Sequence, residues 1–221
     1  MNLFEFKEHI ANLAVVTTIL QFLSGILVCK QYVANRTTAE ASSFPFIAGV
    51  LSSGVWLLYG LTKHNDKIVI VNTVGIALMT SYTVVFYIYT FKKSSVLRQS
   101  TFTIIVFLFL FGYISVEEDN EILLIRLGLL ACSLTLITVA APMSKLLYVI
   151  KTKCTECLPF PMILTSFFVS AFWFLYGYID EDIFITIPNS IGAVLAMAQL
   201  SLFAIFPSSP RSSLPYKGVI A

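Results

Sequence analysis

Charge is what this chain has least of. Only 12% of its 221 residues are Asp, Glu, Lys or Arg, while 57% are hydrophobic and the mean hydropathy is +0.87. Soluble domains carry about 25% charged residues, so that class is excluded. There is no basic patch or aromatic-interleaved basic run, and nucleic acid is not an expected partner. Cysteine is sparse too. Cys29, Cys132, Cys154 and Cys157 make no disulfide framework. Cys154 and Cys157 have redox or zinc spacing, but no second Cys or His pair accompanies them, and His9 and His64 lie elsewhere. They read as incidental thiols, and no metal or other cofactor is expected. The chain also lacks a Gly-rich phosphate loop, a His-x-x-x-His pair and a nucleophile elbow. Its connections are too short to hold a catalytic domain, so it does not read as an enzyme.

One more absence bears on function. Ionisable residues inside the apolar runs are nearly missing: Arg126 and Lys145 lie near segment ends, where snorkelling accounts for them. A proton-coupled carrier needs a buried carboxylate or His, and an anion carrier a buried cation. A path without fixed charge suits a neutral solute moving down its own gradient.

What is abundant is apolar length. Seven segments run over 9–29, 43–62, 67–91, 100–116, 122–147, 158–178 and 183–206. A helix rising ~1.5 Å per residue needs about 20 residues to cross a ~30 Å hydrocarbon core, which all seven approach or exceed. The first starts too early and runs too long for a cleavable signal. The expected class is an all-α membrane protein with seven transmembrane helices and membrane lipid around it.

Lys and Arg set the orientation. Ten lie on one side: Lys30, Arg36, Lys92, Lys93, Arg98, Lys145, Lys151, Lys153, Arg211 and Lys217. Only Lys7, Lys63, Lys67 and Arg126 lie on the other, with the acidic runs 117–121 and 180–182. The amino terminus is therefore expected outside or in a lumen, and the carboxyl terminus, including a tail over 207–221, in the cytosol. A sequon at Asn35 then falls on the cytosolic side and stays unglycosylated.

The chain is written twice. Trp56-Leu57-Leu58-Tyr59-Gly60 returns as Trp173-Phe174-Leu175-Tyr176-Gly177, an offset of 117 that also carries Asn72 to Asn189 and Gly75 to Gly192. Each copy covers three segments, so a directly following second copy would be inverted. Segment 4 restores the orientation, and Arg36 and Lys153 correspond on the basic side. The expected architecture is two parallel three-helix bundles, 1–93 and 121–206, joined over 94–120 by an inversion linker helix that faces lipid.

Buried amides need hydrogen-bond partners. Asn72 and Asn189, at equivalent positions inside the membrane, would face each other across a pseudo-two-fold axis and offer donors and acceptors to hydroxyls. Helix–helix glue is the plainer role for one Asn alone. Trp56 and Trp173 lie in the same outer half and suit the wall of a polyol site better than an interfacial anchor. Pro45, Pro142 and Pro159, with Gly25 in the place that matches Pro142, form four helix breakers at one depth and read as hinges.

These motifs together resemble the SWEET sugar transporter family over about 12–206, itself a known case of parallel repeats. The resemblance rests on Arg36-Thr37-Thr38, Phe44-Pro45-Phe46, Trp56 through Gly60 and Asn72-Thr73-Val74-Gly75. In the second half it rests on Ala141-Pro142-Met143, Lys153-Cys154-Thr155, Leu158-Pro159-Phe160, Trp173 through Gly177 and Asn189 through Gly192. It implies facilitative, uncoupled, bidirectional movement of mono- or disaccharides by alternating access, in the plasma membrane or Golgi. Homo-oligomer assembly is left open. Asn72, Asn189 and Trp173 match sugar-contacting positions, and Trp56 matches another pocket-lining one. Pro45, Pro142 and Pro159 match three of four hinge prolines, with Gly25 replacing the fourth. Tyr59 and Asp182 match an outer gate. Two alternatives are a PQ-loop-type carrier of another small neutral solute and a membrane cargo receptor of related fold. No Pro here is followed by Gln, and the cavity charges a peptide receptor would use are missing.

Overall fold

The computed structural model describes residues 2–155 and 158–206, apart from the side chains at 140–142, 144 and 145. The side chain of Pro142, together with Cys157 and the 207–221 tail, therefore lies outside the described residues. Among the described residues every regular element is a helix, and seven spans are long and apolar enough to cross a membrane.

The first, fourth and fifth spans extend past the apolar segments, while the other four end within about two residues of them. α1 (Leu3–Leu23) starts at a capping box of Asn2 and Glu5, and α2 (Gly25–Asn35) continues the same span after a break at Ser24. α3 (Phe44–Thr62) has Pro45 in its first turn. α4 (Asp66–Tyr89) is capped by Asn65. α5 (Lys93–Val116) begins seven residues before the apolar run predicts. α6 (Asn120–Thr152) is capped by Asp119, α7 (Phe160–Ile179) follows Pro159, and α8 (Ile183–Ile205) is capped by Asp182.

The 117-residue offset holds in the backbone. Arg36 and Lys153 end α2 and α6 in the left-handed region, at φ 51° and 55°, and His64 and Glu181 do the same in two turns, both at φ 54°. None is glycine, so each costs of order 1 kcal/mol that the surrounding turn must outweigh. The Asn65 amide donates to the Gly60 carbonyl at 2.9 Å, and the Asp182 amide donates to that of Gly177 at 2.8 Å. A Cβ on Gly60 would press into Ile68, and one on Gly177 into Ile185. These glycines let each hairpin close tightly enough to set its cap.

Contacts follow the same symmetry. α4 packs on α1, α2 and α3, and α8 packs on α6 and α7. Between the two copies, α1 meets α7 and α3 meets α6. α5 packs on α3 and α4, lodging Phe107 against Gly54, and its Tyr113 hydroxyl accepts from Arg126 of α6 at 2.6 Å; 6% of its apolar window is buried.

Burial differs between the two ends. At the end bearing Asp180 and Asp182, the acidic end, one apolar cluster joins Ile10, Ala14, Leu58 and Tyr59 of the first copy to Leu127, Trp173 and Tyr176 of the second. At the opposite, basic end there are two clusters. One is confined to the first copy and α5 (Ile47, Phe86, Val96), the other to the second (Val149, Leu158, Ile163, Ala196, Leu202). Among the described residues, apolar packing fuses the halves at one end and keeps to separate halves at the other.

Candidate functional site

The fused end is locked by polar groups from both halves. The Tyr59 hydroxyl donates to Asp182 Oδ2 at 2.6 Å, and Asn65 Nδ2 donates to the Tyr176 hydroxyl at 2.6 Å. Adding 117 turns Tyr59 into Tyr176 and Asn65 into Asp182, so these two bonds are mates under the repeat. Lys63 and Asp180 are also equivalent positions, and they pair with each other at 2.7 Å. Two equivalent groups touch only where the pseudo-two-fold axis runs between them. Opposite charge makes that meeting attractive. Lys63 also reaches Asp182, and Lys7 reaches Asp180, both at 2.5 Å. Burial works against the Lys63 ammonium, yet hydrogen bonds to Asp180 and Asp182 outweigh it and raise its pKa. Burial likewise opposes the Asp180 carboxylate, and Lys63 and Lys7 overcome it to hold the pKa below the ordinary value.

Of this lock, only Tyr59 and Asp182 were expected. Tyr176 was legible as the repeat mate of Tyr59, whereas Lys63, Asp180, Lys7 and Asn65 were legible only as polar residues between apolar runs. The available signal was the offset itself, which sets a Lys opposite an Asp.

Directly inward lie the tryptophans. Trp56 Nε1 donates to Thr135 Oγ1 at 3.0 Å, and Trp173 Nε1 donates to Thr18 Oγ1 at 2.8 Å. Thr18 and Thr135 are again 117 apart, and each bond crosses from one half to the other. Each ring stands edge-on to the gate tyrosine one turn along: Trp56 with Tyr59 at 5.5 Å and Trp173 with Tyr176 at 5.6 Å. Both indole N–H groups are thus engaged, and both tryptophans line the cavity.

Asn72 and Asn189 each donate from Nδ2 to their own helix, to the Ile68 and Ile185 carbonyls, both at 2.8 Å. Among the described residues neither bonds to another helix. Both line the cavity. Their glycine partners have a local purpose: a Cβ on Gly75 would strike the Ser53 hydroxyl, and one on Gly192 that of Ser170. The close approach brings those serines to the same wall.

The cavity has a volume of about 690 Å³, inside the ~300–1,000 Å³ of small-molecule sites. It brings together Trp56, Trp173, Asn72 and Asn189, the four substrate positions expected from the sequence. Its described lining holds indole, amide and hydroxyl groups over apolar side chains, and no ionisable one. It runs from Ile68 and Ile185, below the lock, to exposed Pro45 and Pro159 at the basic end.

The hinge positions prove unequal in place. Pro45 sits within the first turn of α3, whereas Pro159 is the residue before α7, where Pro161 takes the first-turn place. Gly25 follows the Ser24 break, and Tyr82 packs its ring where a Cβ would stand. Sequence reasoning overlooked Pro188, which lies inside α8, fully buried, beside Asn189 on the cavity wall. It also overlooked the Gln21 Nε2 to Ser166 Oγ bond, 2.8 Å, which crosses the halves without a mate, since the equivalent residues are Thr138 and Gly49.

A duplicated helical membrane protein, with a cavity between its halves that has no ionisable side chain in its described lining and a polar lock at one end, has the architecture of a small-solute carrier built from two repeats. Comparison with known proteins makes this specific. The model of the family described as sugar efflux transporters for intercellular exchange matches twice, at residues 8–94 and 125–211, which are 117 apart. The chain is 40% identical over 212 residues to the sugar transporter SWEET1 of Drosophila pseudoobscura, covering 95% of this chain and 94% of that one. It is 32% identical over 194 residues to the human SWEET1, covering 87% and 88%. In fold it is similar to a solved eukaryotic SWEET transporter, with a TM-score of 0.83 at 22% identity, over 92% of this chain and all of that one. The chain belongs to the SWEET family, as an integral membrane protein.

Proposed function

We propose that this protein moves neutral mono- or disaccharides across a membrane in both directions, driven only by their gradient. The observation that carries the reading is the cavity lining: Asn72, Asn189 and hydroxyls among indole faces, with no ionisable side chain among the described residues. Sugar hydroxyls match amides that both donate and accept, and their C–H faces match the flat indoles. A peptide-reading cargo receptor would want charge there. The names of the SWEET1 relatives point to the same substrate class.

The mechanism is alternating access between two halves. In the orientation read from Lys and Arg, the acidic end faces outside or a lumen and the basic end the cytosol, so the described state is inward-open. Tyr59, Asp182 and the lysines beside them form the outer gate. Gly25, Pro45, Pro142 and Pro159 act as hinges on which the halves rock, and α5 serves as the lipid-facing linker. Sugar released inward lets the basic end close and the lock part. The plasma membrane and the Golgi both fit this topology.

Asn72→Ala and Asn189→Ala test the site in reconstituted vesicles. Each should abolish uptake of radiolabelled glucose or sucrose while leaving the melting temperature within a few degrees of the unsubstituted protein. Undiminished uptake by both variants would remove the asparagines from the site.

A further inference from the structure

Thr18 and Thr135 play no part in the reading above, yet both are built into the cavity roof in the same manner. Each hydroxyl donates back to an alanine carbonyl four residues earlier in its own helix: Thr18 to Ala14 at 2.7 Å, Thr135 to Ala131 at 3.0 Å. Each then accepts the indole N–H of the other half's tryptophan. All three members of the relay, Trp, Thr and Ala, repeat at 117.

A threonine in a membrane helix commonly bonds the carbonyl one turn back, and Thr62, Thr73 and Thr83 do so here without any indole. What sets Thr18 and Thr135 apart is the spare lone pair, which each spends on a tryptophan across the interface. Thr18 and Trp173 are buried, Ala14 and Ala131 wholly so, and Trp56 and Thr135 half-buried, so the Thr18 relay sits in packed protein and the Thr135 relay at its edge on the cavity. An indole N–H left there without an acceptor carries a desolvation penalty. The ring would relieve it by turning its N–H edge into the cavity, and the flat face would be lost from the wall.

We propose that Thr18 and Thr135 are positioning residues. Each fixes a tryptophan of the opposite half so that its face, not its N–H edge, meets the solute. The two bonds lie in the α1–α7 and α3–α6 contacts, which must part at the acidic end for the lock to open. They therefore hold the wall in shape while that end is shut and release it when the halves rock. This inference rests on the sugar-carrier reading.

The chain contains two tryptophans, both in the cavity, so isotope-labelled indole N–H groups give two resonances with no background. Thr18→Val should speed hydrogen exchange of the Trp173 N–H at least about tenfold and leave Trp56 unchanged. Thr135→Val should do the reverse. Each should weaken equilibrium binding of labelled glucose and sucrose about five- to tenfold, and Thr18→Ser and Thr135→Ser should restore it. Valine variants with unchanged indole exchange and unchanged affinity would overturn the proposal, as would serine variants as impaired as valine. If a valine variant fails to fold, the unsubstituted protein decides: slow exchange of both indole N–H groups is required, and fast exchange of both overturns the assignment. Trp173→Ala and Asn189→Ala run beside these. Normal sugar binding by both would sink the carrier site itself, whereas their loss of binding beside unaffected Thr18→Val would sink the threonine proposal alone.

Discussion

Asp182 divides two tasks between two oxygens. Oδ1 caps α8 by accepting from the Phe184 and Ile185 amides at 3.0 and 3.1 Å, and Oδ2 receives Tyr59 and Lys63. Asp182→Asn keeps the capping oxygen and removes the gate acceptor, so it should fold normally but open the outer end. Asp182→Ala should do both, losing a further ~1 kcal/mol of stability with the cap. Melting curves, together with modification of a cysteine introduced beside Asn72 by an impermeant reagent, separate the two effects. Equal melting temperatures for the two variants would contradict the division. The lock also fixes a pH profile. Asp180, lowered from an ordinary value of 3.8, favours closure fully above that value and loses the effect as pH falls through its own lower one. Lys63, raised from 10.5, favours closure fully below 10.5 and loses it as pH rises through its own higher value. Neither transition falls inside about pH 5 to 9, so transport should be flat there, and a midpoint near neutrality would show a titrating group that this site lacks. At this scale the sequence was half legible. Adding 117 found the asparagines and tryptophans because both types are rare and polar within apolar runs. Thr18 and Thr135 resemble every other membrane threonine, and only packing shows which hydroxyl meets an indole.

Helix ends depart from hydropathy for a physical reason. Apolar runs stop where polar residues begin, but backbone hydrogen bonding continues to the next cap, at Asn2, Asp119 or the left-handed Lys153. The first span breaks at Ser24, whose hydroxyl donates to the Gln21 carbonyl at 2.6 Å. Gly25 beside it stands where the family resemblance implies proline, and the structure supplies a reason. The Tyr82 ring fills the space and its hydroxyl donates to the Phe22 carbonyl at 3.0 Å, so a residue with a Cβ collides with the ring. Gly25→Ala should cost about 1–3 kcal/mol through overpacking, and adding Tyr82→Leu should recover much of it. A melting temperature unchanged by Gly25→Ala would show that the ring yields freely. Hydropathy could not have revealed this pairing, because Tyr82 lies 57 residues away, on α4. Pro188 escaped notice for another reason. Its equivalent, Val71, is an ordinary helix residue, so the repeat that exposed the other wall positions concealed this one.

For the molecule as a whole, span number and duplication were legible because a bilayer imposes length and a duplication leaves its offset in the chain. Which end is shut was not. That depends on the small residues Ala11, Ala14 and Ala131 allowing α1 and α6 to approach α7 and α3, and on the Lys63–Asp180 meeting on the axis. The fused acidic end, the parted basic end and a cavity with no ionisable side chain in its described lining support the proposed passive, two-sided sugar path. Its most direct test is labelled-glucose exchange in vesicles holding the purified protein, first without any ion gradient and then under imposed proton and sodium gradients. The account predicts uptake that stops at equal inside and outside concentrations, exchange in either direction, and no change with either gradient. Accumulation above equality, or uptake only when a gradient is imposed, would contradict it.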